Sequence, residues 1–263
     1  MNKVFVFDVD GTLLTGDHLL TDCVLEAIDQ IRKRDCQITI ATGRSALWSA
    51  PILEELQITF PYISSGGSCI QNPVNAKVFY QRNMSREQVH ELLETAYRYE
   101  IIGVCFQNIF DVVVDQGSFS YMEPLVRGLP MKKMNSLYEF VGDIVKIDIQ
   151  GTIEILGDLY KEVEKKPNLF NIAGKQTTCL EITKYGINKG TALMQLCRLM
   201  DVRHEDLIVF GNGDNDIPMF DYAGFSIAMG NSSVEVKAHA DIVAPSNDEE
   251  GVAWAIMKVL KML

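Results

Sequence analysis

At 263 residues, with 47% apolar and 22% charged side chains, the chain is long enough for one large domain or two modest ones and too apolar to be disordered. Its formal charge of −11, with no cluster of Lys and Arg, excludes a nucleic-acid surface, and no charge-free run is long enough to span a bilayer. Six cysteines without short paired spacing, and an N-terminal apolar run too short for a signal peptide, predict reduced thiols and a cytoplasmic location.

Four apolar residues in succession, Val4 to Phe7, predict a buried strand of the parallel type, because a strand covered on both faces loses polar alternation. It ends in Asp8-Val9-Asp10-Gly11-Thr12. Asp8 and Asp10 are two residues apart, so on an extended backbone their side chains leave the same side, and Gly11 lets the chain turn away sharply. Two carboxylates so close repel unless a hard cation such as Mg²⁺ lies between them. A carboxylate is also a nucleophile toward phosphorus, and a neighbouring acid can move protons to and from the oxygens involved. Thr21 then reads as the cap of a helix with Val24, Leu25, Ile28 and Ile31 at helical spacing, followed by a second strand over 37–41 and at once by Thr42-Gly43-Arg44. A strand, helix, strand unit of this length is a right-handed parallel crossover, which brings Thr42 beside the two acids. A helix over about 46–56 and a short strand near 62–63 continue the alternation. They end in Ser64-Ser65-Gly66-Gly67, a turn compatible with close backbone approach to a ligand.

From about residue 84 the texture changes. Ser85 with Gln88 forms a capping-box pattern opening a helix through Tyr99. Half-alternating strands are expected over 104–106, 111–115 and 145–150, a helix over 161–165, and a strand over 179–183. This pattern fits an antiparallel sheet with helices on one face, so residues 84–186 are expected to form an inserted α+β domain within a core of 1–83 and 187–263. The first texture returns at Asn188-Lys189-Gly190, with Lys189 at a helix N-terminus. A buried strand over 207–210 then runs into Gly211-Asn212-Gly213-Asp214-Asn215-Asp216. Strands near 225–229 and 242–243, a short helix between them and a helix from 251 complete the sheet.

Ligands of open parallel sheets bind outside the carboxyl ends of the strands. Four polar clusters fall there, and together they meet the needs of phosphoryl transfer: Asp8 as nucleophile, Asp10 as acid and base, Thr42 and the Gly43 amide as holders of phosphoryl oxygens, and Lys189 as fixed positive charge. In sequence and order these four clusters resemble the four motifs of the haloacid dehalogenase superfamily of phosphatases. The insertion between the second and third looks like the α/β (C2-type) cap of the Cof-like subfamily. The resemblance implies a Rossmannoid α/β core, Mg²⁺ as cofactor, and a cap that closes over the leaving group. It also implies hydrolysis of small phosphomonoesters, sugar phosphates above all, through an aspartyl-phosphate at Asp8. By the same resemblance Asp8, the Asp10 backbone carbonyl, Asn212 and Asp216 are the metal group, and Asn215 contacts the phosphate or orders its loop.

One position departs from the pattern: the family usually carries Asp where this chain has Asn212, so metal affinity is expected to fall. A phosphotransferase or mutase using the same aspartate, and a phosphate-binding sensory module with weakened turnover, are the alternatives. The expected partner is a phosphorylated small molecule, with no nucleic acid and no membrane.

Overall fold

The computed structural model describes residues 3–100, 102–117, 119–126, 129–166 and 168–263. The chain begins with β1 (Val4–Phe7), α1 (Asp22–Arg32), β2 (Gln37–Ile40) and α2 (Ala46–Glu55). Thr21 caps α1 by accepting the Val24 N–H, and Val24, Ala27, Ile28 and Ile31 form its buried face, so the helical spacing in the sequence marks the packed side. Next come β3 (Tyr62–Ser64), β4 (Cys69–Gln71) and β5 (Val78–Gln81), a small antiparallel sheet joined to the end of β2 by the parallel bridge between Ala41 and Ile63. The sequence pattern missed β4 and β5. They are short, and β5 is half-buried along its whole length, which erases any alternation.

The middle of the chain contributes α3 (Arg86–Ala96), β6 (Gly103–Gln107), β7 (Val112–Asp115), α4 (Phe119–Val126), β8 (Lys132–Met134), β9 (Lys146–Gln150), α5 (Ile153–Glu164), β10 (Phe170–Ala173) and β11 (Cys179–Lys184). Both halves of the predicted Ser85–Gln88 capping box are made. Helix α5 starts well before the expected 161–165, because Thr152 caps it and Leu156, Leu159 and Val163 form its buried stripe. The six strands lie in the order β10-β11-β9-β6-β7-β8, antiparallel except for β7 beside β8. Helices α3 and α5 cover one face, their Leu92 and Leu159 packing in one core with Ile147 and Ile149 of β9. The other face carries Gln107, Lys146 and Asp148. The sequence reads it as half-exposed, yet all three are almost fully buried, because this face is turned toward the first sheet.

The chain then returns through α6 (Lys189–Met200), β12 (Leu207–Gly211), α7 (Ile217–Phe220), β13 (Phe225–Ala228), α8 (Val234–Ala238), β14 (Ile242–Val243) and α9 (Gly251–Leu260). These close an all-parallel sheet of order β14-β13-β12-β1-β2, giving the expected α/β fold with a mostly parallel core and a second, α+β sheet. Side chains of β1 alternate between its faces. Phe5 and Phe7 pack with Ile28, Val252 and Ile256 on one side, and Val4 and Val6 with Leu193, Leu196 and Met219 on the other.

The loop after β3 ties these parts together. Ser65 donates its N–H to the Arg44 carbonyl and Gly66 its N–H to the Thr42 carbonyl, at 2.8 and 3.0 Å. Gly67, at φ +104°, faces the peptide joining Asn188 to Lys189, and a Cβ there would overlap the Asn188 carbonyl. The close approach foreseen for this turn is thus to another part of the backbone. Gly67→Ala should cost about 2–4 kcal/mol, from overpacking added to a disfavoured φ, and lower Tm by roughly 5–10 °C in calorimetry. Gly157→Ala, inside α5 with open space around it, should leave Tm unchanged or raise it.

Candidate active site

Phe7 lies in register with Ile40 on one side and Phe210 on the other, so the residues that follow these three strands emerge along one edge. Asp8 donates its N–H to the Phe210 carbonyl at 2.9 Å, and Ala41 donates to the Phe7 carbonyl at 2.9 Å, which fixes the level of Asp8 against Thr42 and Asn212. Gly11, at φ +77°, turns the chain away.

Asp8 is 5% exposed, and its Oδ1 accepts from Lys189 Nζ at 2.6 Å. Lys189 opens α6, where Asn188 caps the helix through a reciprocal pair of hydrogen bonds with Thr191. Its ammonium also donates to Asp216 Oδ1 at 2.6 Å. Asp216 Oδ2 accepts the N–H groups of Asn212 and Gly213 at 2.8 and 2.9 Å, so both of its oxygens are engaged inside the loop. Burial pushes Asp8 up to about 7, with Lys189 pulling it back and Asp216 pushing it further. Burial alone would lower Lys189, but Asp216 and Asp8 hold it well above its ordinary value, so it stays charged.

Asp10 meets a different environment. Arg44 Nε donates to its Oδ2 at 2.8 Å and an Arg44 terminal nitrogen to its Oδ1 at 2.6 Å, a bidentate pair, with His18 Nδ1 3.5 Å away. Burial opposes ionisation there, yet the Arg44 hydrogen bonds and charge hold the Asp10 carboxyl below the usual range. Thr42 is buried. Its N–H donates to the Ile63 carbonyl at 3.0 Å and its Oγ1 accepts from the Arg44 N–H at 3.1 Å.

A cavity of about 810 Å³ lies between the two sheets, with Asp8, Asp10, Gly43, Asn212 and Asn215 among its lining residues. Lys189 reaches a second cavity, of about 880 Å³, on the other side of the 212–215 loop. Of the residues singled out from the sequence, Thr42 and Asp216 lie behind the walls. The second sheet supplies Lys146, Asp148 and Gln107, which sequence reasoning missed, together with Glu181. Lys146 Nζ pairs with Asp148 at 2.7 Å and Glu181 at 3.0 Å and donates to the Gly43 carbonyl at 2.9 Å. Gln107 Nε2 donates to the same carbonyl at 3.2 Å and to Asp148 Oδ2 at 2.5 Å, while its Oε1 accepts from Ser65 Oγ at 3.0 Å. Burial would lower Lys146, but Asp148 and Glu181 hold it above its ordinary value. The signal was present in β9, where Lys146, Asp148 and Gln150 alternate with Ile147 and Ile149. Among the described residues, aromatic side chains of the second sheet and its connections do not line the cavity: Phe106 is in that sheet's core, and Phe110, Tyr121 and Tyr185 are exposed.

The donor set bears on a cation. The side-chain amide of Asn212 lies 3.1 Å from Asp8 Oδ2 and 3.0 Å from both the Asp10 main-chain carbonyl and Thr12 Oγ1, so oxygens converge at one point below the cavity. Among the described residues no three His, Cys, Asp or Glu side chains are grouped to hold a metal. A hard cation fits here through one carboxylate, one carbonyl and one neutral amide, a set of oxygen ligands poor in charge.

A family model described as haloacid dehalogenase-like hydrolase matches residues 5–256. The chain is 26% identical to 5-amino-6-(5-phospho-D-ribitylamino)uracil phosphatase YitU of Bacillus subtilis (strain 168), over 95% of this chain and 94% of that one. It is 28% identical to the HMP-PP phosphatase of Escherichia coli (strain 55989 / EAEC), over 90% and 88% of the two chains. The crystal structure of TM0651 from Thermotoga maritima matches with a TM-score of 0.81 at 25% identity, covering 98% of this chain and 97% of that one.

Replacing Lys189 by Met leaves two buried carboxylates facing each other. Its loss should cost about 3–5 kcal/mol at pH 8. Asp8, already near 7 with the lysine present, must rise further without it, so the folded state binds protons that the unfolded state has released. Stability is then retained at low pH and lost as pH rises, and the destabilisation should be clearly smaller at pH 5. Urea unfolding of both proteins at the two pH values measures this, and an equal loss at both would contradict it.

Proposed function

The chain belongs to the haloacid dehalogenase-like hydrolase family, in its Cof-like branch of phosphatases, and on that footing we propose that it hydrolyses small phosphomonoesters through an aspartyl-phosphate on Asp8. The observation that carries this reading is the pairing of Asp8: Oδ1 is held by the Lys189 ammonium, while Oδ2 is the atom presented toward the cavity side of Asn212.

In the first half-reaction Asp8 Oδ2 bonds to phosphorus as the bond to the leaving oxygen breaks, and that oxygen takes a proton from Asp10. In the second, water bonds to phosphorus and gives its proton to Asp10, the Asp8 O–P bond breaks, and phosphate leaves. Arg44 favours the ionised form of Asp10, the form the second step needs. The Gly43 N–H and, at the margin, Asn215 are assigned to phosphoryl oxygens from the cavity wall, and the Thr42 hydroxyl and Lys189 ammonium, assigned to them as well, lie buried behind that wall. Asp8, the Asp10 carbonyl and Asn212 would hold Mg²⁺, which would supply positive charge against the phosphoryl group. Asp216 is assigned to holding Lys189 and the loop amides in place of a direct metal contact, since both its oxygens are engaged.

Residues 84–186 are taken as the cap that covers the leaving group. The Lys146, Asp148, Glu181 and Gln107 cluster gives that cover a polar, hydrogen-bonding surface, which suits a hydroxyl-rich leaving group such as a sugar. The two relatives are named for polar phosphorylated substrates, which agrees with this class.

Asp8→Asn should lower phosphate release from sugar phosphates and p-nitrophenyl phosphate by roughly 10⁴-fold or more. Acid-quenched wild-type protein should carry one phosphoryl group on the peptide containing Asp8. Turnover that survives the substitution, or a label on another peptide, would overturn the reading.

A further inference from the structure

We infer that the Asn212 amide is a two-way group, standing in for the divalent cation when its NH₂ faces Asp8 and Asp10 and becoming a neutral ligand for that cation when its oxygen does. The inference rests on the cation position proposed above. Its observations are contacts of this chain alone.

The Asp10 main-chain oxygen is an acceptor with no proton to give, Asp8 Oδ2 is another whenever Asp8 is ionised, and both lie within 3.1 Å of the same atom of the Asn212 side chain. Buried acceptors so placed need a donor or a cation between them. The amide supplies the donor by pointing its NH₂ inward, which puts one nitrogen within hydrogen-bond distance of Asp8 Oδ2, the Asp10 carbonyl and Thr12 Oγ1. A half-turn about its last side-chain torsion puts the oxygen in the same place, where Thr12 Oγ1 donates to it at 3.0 Å. With the oxygen inward the Thr12 hydroxyl donates to it, and with the NH₂ inward the two amide protons serve two of the three surrounding oxygens. The base of the side chain stays fixed meanwhile, because the Asn212 N–H is tied to Asp216 Oδ2.

An Asp at 212 has only the acceptor face. It would set a second carboxylate against Asp8, and only a cation or a proton could relieve the pair. The local charges differ accordingly. Lys189 already offsets one of Asp8 and Asp216, and Asp10 is neutralised by Arg44. With Asn212 the cation therefore meets little net negative charge and must displace the hydrogen bonds of the amide. The site is self-satisfied without metal and binds it weakly.

The test reads binding and stability with no substrate present. Mg²⁺ titration calorimetry should give Asn212→Asp an affinity on the order of tenfold or more above wild type, from the added full charge. In EDTA, Asn212→Asp should melt below wild type and recover with Mg²⁺, whereas the wild-type Tm should be nearly the same with and without the ion. Equal Mg²⁺ affinities in the two proteins would overturn the inference. So would a wild-type protein that loses its Tm in EDTA, a measurement that decides the matter even if the variant fails to fold. Neither result touches the labelling of Asp8, so failure here is distinct from failure of the phosphatase reading.

Discussion

One ammonium group between two buried carboxylates holds this molecule's centre together. Lys189 is 1% exposed, and it bonds to Asp8 and Asp216 from opposite sides. Three charges so deep are tolerable only if each is paired and hydrogen-bonded, because desolvation of a lone buried ion costs several kcal/mol. That requirement fixes three pieces of chain against one another: the end of β1, the first turn of α6 and the loop after β12. Asp8 and Lys189 are 181 positions apart, and the whole second sheet lies between them in the chain. The capped start of α6 and the absence of a side chain at Gly67 then leave the ammonium one place to go.

The second sheet meets the first through a related device. Lys146 is also an ammonium between two carboxylates, Asp148 and Glu181, and with Gln107 it grips the Gly43 carbonyl. Gly43 follows Thr42, so the contact between the sheets is made on the turn that the proposed chemistry uses for phosphoryl oxygens. The second sheet is thereby tied to the position of that turn. Parting the two sheets would expose a buried, fully bonded lysine and cost those hydrogen bonds, so the closed arrangement has a definite geometry set by polar contacts.

Much of this was legible in the sequence wherever a local rule decided the outcome. The apolar run of β1, the two-residue spacing of Asp8 and Asp10, the caps at Thr21 and Ser85, and Lys189 at a helix start all depend on neighbours a few positions away. What was missed depends on distant partners. Lys146 and Asp148 alternate with isoleucines as they would on a solvated strand, and only the sheet edge carrying Gly43 turns that polar face inward. The Ser64–Gly67 turn was read as compatible with close backbone approach to a ligand, and at Gly67 the close approach is to the backbone before Lys189, which no local rule reveals. Helix α5 was cut short because its buried stripe at Leu156 and Leu159 lies in a weakly patterned stretch interrupted by Gly157.

The two acids at the end of β1 show how one short motif acquires two roles. Asp8 and Asp10 have the same chemistry and nearly the same place in sequence, so sequence alone assigns their parts by resemblance. Their surroundings separate them. Burial drives Asp8 toward the neutral form, and only Lys189 on one oxygen keeps ionisation within reach near pH 7. Asp10 is half open to solvent and clamped by Arg44, which holds it ionised to well below that pH. A desolvated carboxylate is the better nucleophile, whereas the Arg44 clamp that keeps Asp10 ionised also weakens it as a base toward water. Asp8 faces the Lys189 ammonium and Asp10 the Arg44 guanidinium, so two acids two positions apart stand in different fields before Gly11, at φ +77°, turns the chain away.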